Sequence, residues 1–349
     1  MSGRIDRLYI TLTRRCNMSC PHCWVSAGPM ACDGDKLSPA EIIGAIRELQ
    51  AQGLTRVKIT GGEPLVRREV VFEVMSYCDE HGIGVSLETN ASLIDDECLR
   101  FFSTIRDLEI GVSLDYSTPE AFDSFRGMRG AFDRVLYAFK HLNGRTKIGT
   151  VSIVFANNFD LMPMIARLVV EELGGSVKFG LCTDMGRAQS LNRGALLSVE
   201  RIPEYFDRVH LLASKYPSQI RTVLPMAFFR PSSPLKIGVC APDQLLGLLP
   251  NGDVSLCGIG VTNAGAIFGN IRATSLREII STSRALRYLQ AIQEVRPEGV
   301  CGQCIFETCC GHTCPAWSFE AYGTFNGPFP VCQELYEAGL FPEQYLKGA

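Results

Sequence analysis

Three cysteines crowd one short stretch, TRRCNMSCPHCW, where Cys16, Cys20 and Cys23 follow the spacing Cys-x3-Cys-x2-Cys. Thiolates set this closely can converge on one metal centre, and their number bounds its chemistry. A 4Fe-4S cluster usually takes four cysteines, so a loop offering three leaves one iron open to an outside ligand, and an open iron is reactive. The alternative is a zinc site with His22 as fourth donor, because zinc accepts Cys and His alike. A second set fills the carboxy-terminal half: Cys240, Cys257, Cys301, Cys304, Cys310, Cys314 and Cys332. Eleven residues separate Cys240 from Gly252, four separate Gly252 from Cys257, and the run from Cys301 reads Cys-x2-Cys-x5-Cys-x3-Cys. Taken alone, that tail leaves two zinc ribbons open beside iron-sulfur clusters.

The remaining cysteines are Cys32, Cys78, Cys98, Cys182 and Cys309, which brings the count to 15 in 349 residues. That is above ordinary usage and below the roughly 8 to 10% of a small disulfide scaffold. An odd number, in a chain whose amino terminus lacks the apolar core of a signal peptide, argues for reduced thiolates and a cytoplasmic setting. With 46% hydrophobic and 20% charged residues and a net charge of −3, the chain reads as globular and long enough for two domains. Its 34 basic and 37 acidic residues leave no surplus for a phosphate backbone, so no nucleic-acid partner is expected. No run approaches the roughly 18 to 20 apolar residues of a membrane span, so no membrane partner is expected either.

The elements that must position these thiolates are legible as alternating β-rich and amphipathic runs, the pattern of parallel βαβ units. Strands are expected at 8–13, 56–60, 84–89, 108–114, 147–155 and 176–182, with helices between them at 68–81, 95–105, 132–142 and 160–173, and a further helix at 199–215. The first helix is the clearest: Ser38 caps it, Pro39 suits its first position, Glu41 completes a capping box, and Gly53 ends it. Six such units predict an α/β fold, a partial (β/α)6 TIM-type barrel at 1–216 with its chemistry at the carboxyl ends of the strands. Pro and Ser enrichment marks a linker at 217–235, and a small cysteine-rich iron-sulfur domain is expected at 236–349. Within it LLGLLPNGDVSLC reads as a hairpin with Asn251 and Gly252 at positive φ, and Ser275 and Glu278 begin a helix.

Directly after the second strand stands Thr60-Gly61-Gly62-Glu63-Pro64. With the three-cysteine loop after strand one, this GGEP segment resembles the radical S-adenosylmethionine (SAM) superfamily. The resemblance implies that Cys16, Cys20 and Cys23 hold the catalytic 4Fe-4S cluster, that SAM chelates the open iron, and that Thr60, Gly61, Gly62, Glu63 and Pro64 hold its amino group. Further matches are Glu88-Thr89-Asn90, with Ala91 where the family usually has Gly; Ser113-Leu114-Asp115; and Asp123-Ser124-Phe125-Arg126-Gly127. They imply SAM contacts from Asn90, Ser113, Arg126 and Leu181, and from Met185-Gly186-Arg187-Ala188 on the adenine side. The tail resembles the SPASM extension of that superfamily. Cys240, Cys257 and Cys314 would hold one auxiliary 4Fe-4S cluster and Cys301, Cys304, Cys310 and Cys332 another, three clusters in all. The first auxiliary cluster lacks a fourth cysteine, which implies either an open iron or a further ligand, for which Cys309, Asp243 and His312 are the candidates.

By the same resemblance an electron cleaves SAM to methionine and a 5'-deoxyadenosyl radical that removes a substrate hydrogen, the cofactor supplying the hard chemistry and the protein its position. SPASM enzymes mostly crosslink or oxidise ribosomal peptides and proteins, so a precursor peptide or protein is the expected substrate and flavodoxin or ferredoxin the expected electron donor. Fifteen residues before Cys16 leave no room for an amino-terminal peptide-recognition domain, so a separate recognition protein, or docking on the barrel and SPASM surfaces, is expected. The runner-up is tetrapyrrole side-chain modification, since TRRCNMSCPHCW and ITGGEPLVRREV also resemble the haem-pathway branch. A non-catalytic iron-sulfur electron carrier would explain the cysteines but not the GGEP segment.

Overall fold

Alternating buried and half-buried residues build a sheet with one face under helices and one face concave. In the computed structural model, which describes residues 4–348 apart from 33, 35, 239 and 312 (and not the side chains of Arg193, Ala285 and Gln293), the first six strands are β1 (Arg7–Thr11), β2 (Arg56–Thr60), β3 (Gly84–Thr89), β4 (Leu108–Ser113), β5 (Lys147–Val154) and β6 (Ser176–Leu181). All pair in parallel with their sequence neighbours. On β4, Leu108, Ile110 and Val112 are buried while Glu109, Gly111 and Ser113 take the other face, the period-2 alternation of a strand.

Among the described residues seven helices belong to this half: α1 (Pro39–Gln50), α2 (Arg68–Glu80), α3 (Asp96–Phe102), α4 (Pro119–Arg126), α5 (Ala131–Leu142), α6 (Met162–Arg167) and α7 (Ile202–Lys215). The α1 capping box forms in full, with Ser38 N donating to Glu41 Oε2 at 2.8 Å and Glu41 N to Ser38 Oγ at 3.3 Å. The run expected as one helix at 160–173 is instead a tight turn, α6 and a π-helical turn, where Leu173 N reaches back to Leu168 O at 3.0 Å.

Residues 217–235 do more than link. Ile220–Thr222 form β7, parallel to β6, and Lys236–Ile237 form β8 beside it. Three residues are too few to display a period, but Ile220 and Thr222 are buried and Tyr205 shares a 2.8 Å hydrogen bond with Thr222. The expected hairpin is β9 (Leu245–Leu248) and β10 (Asp253–Ser255), followed by β11 (Ile267–Asn270). Its turn has Gly252 alone at positive φ, +92°, while Pro250 and Asn251 are the inner residues of a turn closed by Gly252 N to Leu249 O at 3.0 Å. Because β9 pairs in parallel with β1, the hairpin extends the same sheet, in the order β11-β10-β9-β1-β2-β3-β4-β5-β6-β7-β8, open at both ends. Among the described residues five short helices complete the tail: α8 (Leu276–Thr282), α9 (Arg284–Gln290), α10 (Gly299–Gln303), α11 (Pro315–Tyr322) and α12 (Pro330–Glu337). Among the described residues no helix is long and apolar enough to cross a membrane.

Candidate active site and cysteine centres

The cysteine loop is locked to the end of β2 backbone against backbone. Gly62 N donates to Thr13 O at 2.6 Å and Glu63 N to Arg15 O at 2.9 Å. A Cβ on Gly61 would lie 2.4 Å from Thr13 O, and one on Gly62 would lie 2.2 Å from Arg15 O. The paired glycines are therefore required by the chain's own loop, before any ligand is considered. Gly62→Ala is expected to lower the unfolding free energy by about 3 kcal/mol, the upper range for forced overpacking. A denaturation midpoint equal to wild type would show that this contact is not made.

Glu63 does not face the cavity. Its side chain is fully buried, and its carboxylate accepts from Thr89 Oγ1 at 2.8 Å, Asn90 N at 2.8 Å and Leu65 N at 3.1 Å, pinning the end of β3 to the end of β2. Burial raises its pKa, with these three donors opposing. The strand-three segment then turns at Ala91, whose φ of +63° is the left-handed conformation that glycine adopts most readily.

One cavity at the carboxyl ends of the strands brings together Cys16, Cys20, Cys23, Thr60, Gly61, Gly62, Asn90, Ser113 and Arg126. Every thiol of the loop has an N–H aimed at its sulfur. Met18 N lies 3.4 Å and Asn90 Nδ2 3.7 Å from Cys16 Sγ, Arg126 Nη1 lies 3.5 Å from Cys20 Sγ, and Ala27 N lies 3.2 Å from Cys23 Sγ. Donors directed at sulfur suit thiolates carrying the charge of an iron-sulfur cluster, whose potential such bonds tune. Burial pushes the Cys16 thiol up to about 12 in the absence of any ligand, so a cation must displace its proton on binding.

Arg126 reaches the cavity because Asp115 holds it there. The two form an ion pair with side chains 7% and 0% exposed, and Asp115 Oδ1 also accepts from Ile153 N at 2.8 Å. His22 stacks on Phe125 at 5.0 Å between centroids and meets Phe155 edge-on at 5.3 Å. Burial, then Arg126, lowers its pKa to about 4, so it sits neutral in an aromatic nest. Among the described residues no three His, Cys, Asp or Glu side chains are grouped to hold a single ion.

Pro64, Leu181 and the 185–188 segment lie outside the cavity lining. Pro64 is buried at the start of the turn after Glu63. Leu181 shares strand parity with buried Val177 and Phe179 and so turns toward the helices, whereas Lys178 and Gly180 take the concave face. Arg187 clamps the cysteine loop from outside: Nη1 donates to Cys20 O at 2.6 Å, Nη2 to Ala27 O, and its backbone N to Cys23 O at 3.0 Å. Residue type gave no hint of Asp115 or Arg187 in these roles, since each bond spans parts of the chain far apart in sequence. Trp24 lines the cavity and packs on Gly258, next to Cys257, where an added Cβ would lie 2.4 Å from its ring.

In the carboxy-terminal half, Cys301, Cys304, Cys310 and Cys332 line one apolar cavity with Phe306 and Phe341. Phe329 N, Phe306 N and Met226 N lie 3.3, 3.5 and 3.5 Å from the sulfurs of Cys301, Cys304 and Cys310. Cys309, the neighbour of Cys310, is exposed. Cys240, Cys257 and Cys314 form a second neighbourhood: burial raises the Cys240 thiol most, and Cys314 and Cys257 add to it, followed by Asp243. His312 falls outside the described residues. Cys78 and Cys98 are fully buried in helices as small apolar side chains, and Cys32 is exposed.

Comparison with known proteins gives two family matches, "Radical SAM superfamily" over residues 10–165 and "Iron-sulfur cluster-binding domain" over residues 240–305. The chain is 26% identical to the mycofactocin maturase MftC of Mycolicibacterium smegmatis over 346 residues, covering 96% of this chain and 84% of that protein. It is 27% identical over 349 residues to the AdoMet-dependent heme synthase of Methanosarcina barkeri, covering 94% and 95%. Its fold is similar to that of Streptococcus suis SuiB bound to precursor peptide SuiA, with TM-score 0.73, 15% identity and coverage of 95% and 76%. It is likewise similar to anSMEcpe with bound AdoMet and Cp18Cys peptide, with TM-score 0.71, 17% identity and coverage of 95% and 94%.

Proposed function

The chain belongs to the radical SAM superfamily and carries a SPASM iron-sulfur domain, and from that premise we propose that it crosslinks or oxidises a ribosomal peptide or protein by hydrogen abstraction. The observation that carries the reading is the single cavity where three thiols with N–H donors meet Thr60, Gly61, Gly62, Asn90, Ser113 and Arg126. When bound, three 4Fe-4S clusters and SAM supply the electron transfer and the 5'-deoxyadenosyl radical.

The protein's own residues do the positioning. Cys16, Cys20 and Cys23 are the ligands of the first cluster. Glu63 is already saturated by three donors, so the SAM ammonium is left to the backbone carbonyls of the Thr60–Gly62 stretch. Ser113 and Arg126 flank the carboxylate and sugar. Cys240, Cys257 and Cys314 hold one auxiliary cluster, and Cys301, Cys304, Cys310 and Cys332 the other. A flavodoxin or ferredoxin delivers the electron, and a separate recognition protein presents the peptide. Likeness to a mycofactocin maturase over 96% of the chain supports a peptide substrate. Likeness to a heme synthase over 95% of that protein favours, as a second reading, a tetrapyrrole side chain.

Anaerobically reconstituted, reduced protein is expected to convert SAM to 5'-deoxyadenosine; a full iron complement with no deoxyadenosine would sink the radical reading. Iron should reach about 12 per chain, and about 8 in Cys332→Ala, from four irons per cluster. Zinc in place of iron after anaerobic isolation would overturn that count. A mass change in a precursor peptide encoded beside the gene, against one in an iron coproporphyrin, separates the two substrate readings.

A further inference from the structure

Below the cysteine loop the concave face of the sheet forms a second, wider cavity, which shares Glu88, Gly111 and Val151 with the wall of the SAM-side cavity. Most charges along it are matched. Lys58 pairs with Glu88, Arg56 with Asp107 at 2.6 Å, and Arg7 with Asp6 at 3.6 Å. Among the described residues three charges are not: the carboxylate of Glu109 on β4 and two cations. Lys178 on β6, half-buried, and Arg221 on β7, solvent-exposed, line the same cavity and stand directly opposite each other in register. Among the described residues neither has a hydrogen-bond or ion-pair partner. Glu88, one of the two anionic groups that act on Lys178 with Cys314, is already taken by Lys58 on one oxygen and by Thr60 Oγ1 at 3.3 Å on the other.

Like charges facing each other across adjacent strands are destabilising, and an unpaired ammonium within a protein cavity adds a desolvation cost. Burial, then Lys58, holds the Lys178 ammonium below the ordinary lysine value, with Glu88 and the Cys314 thiol opposing. An anion between Lys178 and Arg221 would relieve both costs. Lys178 lies three residues before Leu181 at the strand end, about 10 Å down the barrel at roughly 3.3 Å per residue.

We propose that Lys178 and Arg221 form a carboxylate-binding site in the barrel lumen, which seats the substrate by an acidic group beneath the SAM cavity. The site rests on the radical SAM reading and adds a substrate class to it: a molecule that enters the lumen with a carboxylate in its interior-facing part. Arg221 supplies a planar fork of donors and Lys178 a point charge, a pairing suited to a carboxylate. Both substrate readings offer that group, as a peptide carboxylate or as a tetrapyrrole propionate.

The test uses anaerobic holoprotein with SAM and two probe pairs: tetrapeptides with a free carboxyl terminus against their amides, and iron coproporphyrin III against its tetramethyl ester. One acid form should bind about tenfold or more tightly than its neutral partner, the effect of a charge-assisted hydrogen bond. Lys178→Met should remove that preference, and Lys178→Arg should restore most of it, which separates loss of charge from loss of fold. The pair that responds identifies the source of the carboxylate. Equal binding of acid and neutral forms, binding of neither pair, or a preference that survives in Lys178→Met overturns the site. Substrate-free SAM cleavage by the same wild-type preparation tests the parent reading separately. Cleavage without carboxylate preference removes only the site, whereas no cleavage removes the radical reading.

Discussion

Cys16→Ala, reconstituted anaerobically and reduced, is expected to yield no 5'-deoxyadenosine above background, and Cys20→Ala and Cys23→Ala are expected to share the loss. The reason lies in the ligand count. A loop of three thiolates already leaves one iron for SAM, so removing one opens a second iron and leaves two protein ligands on a four-iron cube. No neighbour can replace the lost sulfur. His22, the only other metal-binding side chain in the loop, is stacked on Phe125 and edged by Phe155, with a buried ring nitrogen that has no partner. Each sulfur also has its own N–H donor, so the remaining donors cannot serve a displaced ligand. Iron should fall by about four per chain while the tail cavity around Cys332 keeps its cluster. Deoxyadenosine formation at an appreciable fraction of the wild-type rate in any of the three variants would show that the loop is not the SAM-cleaving centre.

The strands and the cysteine loop were legible because local signals mark them. The β2 and β3 bounds coincide with expectation, and the Ser38–Glu41 box forms as read. The Thr118–Pro119 start and the Gly127 end of α4, at φ +68°, are equally local signals, and the Asp123–Gly127 run that resembles a ligand motif is the last turn of that helix with its cap. Other features were illegible for physical reasons. β7 is three residues long, and its place follows from pairing with β6. The role of the Glu63 side chain depends on what stands opposite: the GGEP resemblance places the residue in the segment expected to hold the SAM amino group, while the end of β3 and Leu65 N supply three donors to its carboxylate. The need for Gly61 and Gly62 is equally non-local, because the backbone that approaches them is that of Thr13 and Arg15. Leu181 illustrates parity, since a shift of one residue along a strand exchanges the concave face for the helix layer.

Asp115→Ala is expected to cost about 3–5 kcal/mol of unfolding free energy, the range for breaking a buried ion pair from one side. Arg126 would remain in a site where its side chain is 7% exposed, with its partner gone. Its Nε already lacks a hydrogen-bond partner, and Cys20 Sγ at 3.5 Å is a weak acceptor, so nothing nearby would compensate the guanidinium. Ile153 N would lose its 2.8 Å acceptor as well. The double variant Asp115→Ala/Arg126→Met removes both charges and should recover a large part of the stability, because an apolar pair of similar volume avoids the desolvation of two ions. It should not recover SAM cleavage, since Arg126 would no longer stand at Cys20 and the cavity wall. Urea midpoints of anaerobic holoprotein for the wild type, the single and the double variant measure the first effect, and deoxyadenosine formation the second. A loss below about 1 kcal/mol in the single variant, as for a surface pair, would mean that Asp115 is not what holds Arg126. Full cleavage in the double variant would take Arg126 out of the SAM site altogether.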